Sequence, residues 1–371
     1  MKILINASNR MSGGAVAVAD SICSYLNKFQ QHNFVVVLSP YCEHIGPKIE
    51  DYPNVKVMYY YCKLSLFLFL FHRDKFLDHL VEREHIDAVL TVWEPYWDAR
   101  CPHLAGFAQP DIIYTKSPYF SIIPIRQKIS NRIKNVMKLW CIKKSTKHIY
   151  TENPEVSEQL QRLMPDAKVY TVTSYYHQIY DSPNKWRQLP LPEFHGTTLL
   201  TIAAPYPHKN LPITVEVTRI LKSKYPDFNF RFVLTLKPEE LKGYDDSLKD
   251  NFVFIGRVKS EECPSLYVQS DIMWMPTLLE CFSGTYAEAM RMKKPIITTD
   301  MGFARGTCGE AAKYYSPLSA AEAADVIYNL ANNHDLYNSM IDKGTEQLKT
   351  FNNSEERASL LIKHLEDIVK E

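Results

Sequence analysis

Short, unbroken apolar runs alternate along the chain with stretches whose apolar residues recur at helical spacing. The runs at 2–5, 34–38, 55–60 and 86–92 carry β-branched residues and that at 104–108 is apolar, and they predict strands buried on both faces, as in a parallel sheet. Helices are predicted over 15–26 and 76–84, and further strands over 147–151 and 169–172. The pattern breaks between Ser174 and Gly196, where Pro183, Pro190, Pro192 and several polar residues predict a connection between domains. It then resumes, with strands over 198–203, 230–236, 252–255, 272–275 and 295–298 and helices over 211–224, 264–269, 285–291 and 320–332. Two βαβ domains facing a cleft are therefore expected, spanning 1–180 and 195–350, with a C-terminal helix at 354–371 returning to the first.

A length of 371 residues fits two such domains better than one core. The eight cysteines are scattered, with no CxxC and no histidine at zinc spacing, which suits reduced thiols in a cytoplasmic protein. Lys2 leads into a short strand rather than a long apolar leader. The most apolar run, Leu64–Phe71, is far short of the ~20 residues of a membrane span and suits a core or a membrane surface.

Charge changes the picture more. The net charge is +1, yet residues 112–151 contain no Asp or Glu and nine Lys or Arg: 116, 126, 128, 132, 134, 138, 143, 144 and 147. Within this block Ile125, Ile129, Ile133, Val136 and Trp140 keep helical spacing. Such a block is either a solvated helix face or the contact for an anionic partner. No nucleic-acid-binding motif accompanies it, so the partner expected for 116–147 is an inner-leaflet membrane surface or an anionic lipid-linked acceptor.

The densest chemistry lies in LECFSGTYAEAM, directly after the apolar run Ile272–Pro276. Glu280 and Glu288 stand eight positions apart, on either side of the small-residue loop Cys281, Phe282, Ser283, Gly284 and the helix entry at Thr285. Each alone reads as an ordinary helix-entry acid. Together they can grip a polyhydroxylated ligand, because a carboxylate accepts two hydroxyl donors, while the helix N-terminus between them suits a phosphate. Lys209-Asn210 follows the strand at 198–203, so Lys209 is either a surface lysine or a cation at the ligand-binding edge of the sheet. Gly13-Gly14 in the first βα turn is either a plain turn or a close approach to phosphate or sugar. The GxGxxG fingerprint, a Gly-x-Ser-x-Gly elbow, HExxH and Asp-x-Asp are all missing, so neither a nicotinamide cofactor nor a dedicated metal site is indicated.

These residues carry a family resemblance. FIGRV, the strand before Pro276, Glu280 and Glu288 as E-x7-E, AEAM, KKPII and GEAAKYYSP make 252–317 similar to the donor domain of GT-B glycosyltransferases of family 4. Lys209-Asn210 resembles the family's KN element, and ILINASN…SGG resembles its bacterial O-antigen and polysaccharide branch. The resemblance implies two Rossmann-like domains and a retaining, metal-independent hexosyltransferase. Its substrates would be a nucleotide diphosphate sugar and a lipid-linked glycan acceptor, with no further cofactor. Glu280 would contact donor-sugar hydroxyls, and the amides of Phe282, Ser283 and Gly284 would line the sugar. The helix from Thr285 would meet phosphate, and Glu288 would hold the ribose diol. Lys209 would stabilise the departing diphosphate, with Gly13-Gly14 closing on it, and Arg257-Val258 would lie near the base. The arginine common five residues before the lysine is Ala204 here, with His208 or Arg257 as substitutes. For the histidine near the acceptor, His103 is the nearest candidate and Gln109 the alternative, although a simple surface or core histidine is the better reading of His103, since no partner is visible from sequence. A GT-B epimerase or phosphorylase and an inactive nucleotide-sugar-binding partner are the competing readings.

Overall fold

The computed structural model describes residues 1–9, 14–63 and 65–371. The chain divides into two compact units. One comprises Met1–Ile113, Ile125–Ser174 and Asn352–Glu371, the other Tyr114–Pro124 and Tyr175–Phe351.

The first unit is built on seven parallel strands: β1 (Lys2–Ala7), β2 (Asn33–Leu38), β3 (Val55–Tyr59), β4 (Ala88–Thr91), β5 (His103–Gly106), β6 (His148–Thr151) and β7 (Lys168–Thr171), in the order β3-β2-β1-β4-β5-β6-β7. The order reverses between β1 and β4, whose register pairs Ile3 with Ala88 and Asn6 with Thr91. Such a reversal opens a crevice beyond the strand C-termini. The β-branched runs are buried on both sides, with Ile3, Ile5, Val36 and Leu90 in one core and Leu4, Val35, Val37 and Val89 in another. Helices α1 (Gly14–Cys23), α2 (Leu66–Phe71) and α3 (Ile125–Ser145) belong to this unit.

The second unit repeats the design with six parallel strands: β8 (Thr197–Thr201), β9 (Phe230–Leu234), β10 (Phe252–Phe254), β11 (Ile272–Met275), β12 (Ile296–Thr299) and β13 (Ala312–Tyr315), ordered β10-β9-β8-β11-β12-β13. β13 is too short and too polar at Lys313 for periodicity to reveal. Around the sheet lie α4 (Ile213–Lys224), α5 (Cys263–Val268), α6 (Gly284–Arg291) and α7 (Ala320–Asn332). Trp274, wholly buried on β11, stacks on Tyr315 of β13 at 5.2 Å and donates its indole N–H to Thr214 Oγ1 at 2.9 Å. This satisfies the one polar atom of a large apolar ring.

The last helix, α8 (Ser354–Lys370), packs in the first unit, where Leu361, Ile362, Leu365 and Ile368 join the β1–β2–β4 core. Asn353 and Glu356 form a capping box at its start. Arg357, 1% exposed, pairs with Glu152 at 2.8 Å and donates to Ser174 Oγ at 2.7 Å.

Candidate functional site

In the second unit, the C-terminal ends of β8 and β11 carry the residues with the most chemistry. β8 leads through a loop to a turn, Pro207–Lys209, closed by Asn210 in the left-handed region at φ 50°. Asparagine tolerates this conformation better than most side-chain-bearing residues. It reverses the chain so that Lys209 Nζ donates to Glu280 Oε1, from the loop after β11. Thr277 Oγ1 donates to the same oxygen at 3.0 Å, and His208 Nε2 lies 3.9 Å from it. Lys209 is thus no stray surface lysine: both it and Glu280 are largely buried, which strengthens their mutual attraction relative to water. His208 stands where a second positive charge could offset the missing arginine at Ala204, whereas Arg257 is exposed just beyond β10 with Val258 half-buried beside it.

The loop then turns into α6. Cys281 and Ser283 are buried and Phe282 half-buried, its ring 6.1 Å from Phe351. Ser283 is the N-cap residue, and its hydroxyl meets Thr285 Oγ1 at 2.8 Å instead of capping a backbone N–H. A Cβ built on Gly284 would meet nothing within 4 Å, so there is free space above the first turn, where helix N–H groups attract anions. One turn on, Glu288 points at two tyrosines from other elements. Tyr267 of α5 donates toward Glu288 Oε2 at 3.5 Å, and Tyr180 lies 5.9 Å from Tyr267 ring to ring. Burial lifts the Glu288 carboxyl to about 7, with the Tyr180 and Tyr267 hydroxyls pulling it part of the way back.

Three contributors escaped the sequence reading. Tyr180 and Tyr267 come near Glu288 only through tertiary structure, and Thr277, three residues before Glu280, is an ordinary loop threonine by sequence. A fourth is a strap, Tyr114–Pro124, from the middle of the first half of the chain. Ser117 Oγ donates to Leu278 O at 2.6 Å, and Tyr119 and Phe120 bury Leu278 and Leu279. The strap therefore pins the loop that delivers Glu280.

In the first unit, His103 corrects an expectation. It is the first residue of β5, at the end of the sheet opposite the strand C-termini, and is buried. Its ring engages Thr91 Oγ1 at 2.8 Å and Ser145 O at 3.3 Å, and burial depresses its pKa to about 4. It is a neutral core histidine. The alternative, Gln109, lies beyond the C-terminal end of β5. Its amide donates to Glu94 Oε1 at 2.6 Å and accepts from Lys138 Nζ at 2.5 Å. Glu94 itself sits in the left-handed region at φ 46°, beyond β4, and burial raises its carboxyl above the ordinary range. Gly14 opens α1 and is exposed, while Gly13 lies outside the described residues. Among the described residues, no group of three or more His, Cys, Asp or Glu could hold a metal ion, and no helix is long and apolar enough to cross a membrane.

Comparison with known proteins bears on the second unit and on the fold. Residues 196–333 match the family model described as "Glycosyl transferases group 1", so the second unit carries a glycosyltransferase group 1 domain. No curated protein sequence matches the chain. Among solved structures, the chain is similar to a glycosyltransferase from Rickettsia africae, at 17% identity and a TM-score of 0.70, covering 100% of this chain and 98% of that one. It is similar to sucrose-phosphate synthase from Thermosynechococcus elongatus at 13% identity and a TM-score of 0.71, covering 100% and 99%. It also resembles Anabaena HepE, solved with UDP and glucose, at 12% identity and a TM-score of 0.65, covering 98% and 99%. The fold is GT-B, with two Rossmann-like parallel-sheet domains.

Proposed function

We propose that this protein is a retaining glycosyltransferase that moves a hexose from a nucleotide diphosphate sugar to a glycan acceptor, lipid-linked and destined for a bacterial surface polysaccharide such as O-antigen. The observation that carries the reading is the Lys209–Glu280 pair joined by one loop and one helix start to the half-buried Glu288, within the matched domain. The HepE complex with UDP and glucose supports a donor of the same class.

In this reading Glu280 holds sugar hydroxyls, while Phe282, Ser283 and Gly284 line the sugar and the start of α6 faces the phosphates. Glu288 accepts from the ribose diol. Lys209, already fixed by Glu280, meets the charge that grows on the diphosphate as the glycosidic bond breaks. Most of the rate enhancement is then electrostatic preorganisation and positioning. The acceptor hydroxyl attacks from the face the diphosphate leaves. We assign the acceptor to the first unit, with Gln109 and Glu94 rather than His103 as its polar contacts. The basic segment 116–147 serves an inner-leaflet membrane surface, where a lipid-linked acceptor resides.

The test is a thermal-shift and calorimetric screen of nucleotide sugars, followed by the variants Glu288→Ala and Lys209→Ala. Glu288→Ala is expected to weaken donor binding by about 1–3 kcal/mol, the cost of leaving hydroxyl donors unpaired. Lys209→Ala is expected to lower turnover more than donor affinity. Unchanged affinity in the first variant, or unchanged turnover in the second, removes that residue from the reading.

A further inference from the structure

α3 is turned the opposite way from an ordinary surface helix. Of its 21 residues only Asn135, Cys141, Ile142 and Ser145 are buried. The isoleucine stripe that periodicity would send to a core faces outward: Ile125 is 66% exposed and Val136 67%, with Ile129, Ile133, Met137 and Trp140 exposed on the same side. By helical periodicity this stripe lies opposite the buried side. Arg126 and Lys144 flank it on one edge and Lys128, Arg132 and Lys143 on the other, all five exposed. The apolar run of α2 extends the stripe. Phe69 packs on Trp140 at 6.0 Å and accepts from Cys141 Sγ at 3.7 Å through its carbonyl, while Phe67, Leu70 and Phe71 of the same short helix are exposed.

A contiguous apolar face of this size is rare on a free protein surface and marks an interaction site. Two classes of partner fit apolar surface: another protein or a lipid. The charge decides between them. A second copy of this chain would set the same cations against each other, whereas an anionic lipid surface supplies opposite charge at the rim and hydrocarbon at the centre. We propose that α2 and α3 form one monotopic face whose Phe67, Leu70, Phe71, Ile129, Ile133, Val136 and Trp140 side chains enter the acyl region of an anionic leaflet, with the flanking Lys and Arg at the headgroups. This deepens the membrane part of the function proposed above: the contact is insertion, not charge attraction alone. It would bring the Lys138–Gln109–Glu94 chain, which starts on α3 itself, next to the surface from which a lipid-linked acceptor is drawn.

The test uses the full chain with vesicles of phosphatidylcholine, with and without phosphatidylglycerol, and with bromine on the acyl chains. Wild-type protein should cosediment with the anionic vesicles. Part of that binding should survive salt strong enough to screen exposed charges. Brominated acyl chains should quench its tryptophan emission, and Trp140→Phe should lose most of that quenching. The variant Ile129→Ser/Ile133→Ser/Val136→Ser keeps every charge and alters only exposed positions, so folding should persist. Its bound fraction should fall roughly tenfold or more, since affinity scales with inserted apolar area. Vesicle binding by the serine variant equal to wild type, or absence of bromine quenching, overturns insertion. A wild-type dimer that the serine variant disperses, without vesicle binding, also overturns it and assigns the face to a second copy. A nucleotide-sugar thermal shift on the same samples separates the two claims, because losing the face leaves the donor site intact and losing the donor shift leaves the face intact.

Discussion

Glu288 shows how a position legible in the sequence acquires properties the sequence does not carry. Its spacing from Glu280 marks it as one half of a grip, because both acids flank a single loop. Its protonation depends on burial, which raises its pKa, and on Tyr180 and Tyr267 from other elements, which lower it. The carboxyl titrates at its ordinary 4.5 in an unfolded chain and at about 7 in the folded one. Between those values the folded state holds the extra proton, so the stability of the empty protein should fall as pH rises through the window, and the charged form is a constant cost above it. In the proposed role a ribose diol donates to the charged form, so donor binding should strengthen from pH 6 toward 8, with proton release. Glu288→Gln should flatten both trends. Calorimetry in two buffers of different ionisation enthalpy, with urea melts across the same range, checks this. His103 makes the opposite point. Its residue type suggested chemistry, but its place at the start of β5 and its two buried partners make it structural. His103→Ala should cost about 1–3 kcal/mol of stability, as for other buried groups that lose hydrogen-bond partners, while turnover per folded molecule stays unchanged. A selective fall in turnover would return it to the site.

Helices were harder to read than strands, for a physical reason. A strand buried on both faces announces itself by composition alone, and the runs at 34–38 and 272–275 appear as β2 and β11. A helical stripe announces a period but not the direction it faces. In α3 the small and polar Asn135, Cys141 and Ser145 point inward with Ile142, Asn135 donating to Asp111 O at 3.0 Å, while Ile125, Ile129 and Ile133 point out. α8 shows a second limit. Its leucines predict an amphipathic helix, yet the feature that fixes it is the buried Arg357 between Glu152 and Ser174, residues about two hundred positions away in the chain. Removing one partner of a buried pair strands the other charge. Arg357→Ala should therefore destabilise the first unit by about 3–5 kcal/mol, whereas replacing the pair together with Met and Gln should cost much less. Chemical denaturation of the single and double variants measures the difference.

For the molecule as a whole, the alternation of apolar runs and helical stretches predicted two parallel-sheet domains, and the structure has them. The exact path of the chain between them was not legible, because a strap such as Tyr114–Pro124 is short, mixed in character and meaningful only against Leu278 and Leu279. The backbone leaves the first unit at Ile113, returns at Ile125, leaves again at Ser174 and comes back at Asn352. That itinerary bears on how such proteins can be recombined. A graft exchanging residues 175–351 for those of a relative would look complete by length and would still bring a foreign Leu278–Leu279 loop under a native strap. Ser117 and Tyr119 would face a surface they did not evolve with. A transplant of specificity has to carry 114–124 along with the obvious half, so the smallest exchangeable module of this chain is a discontinuous one.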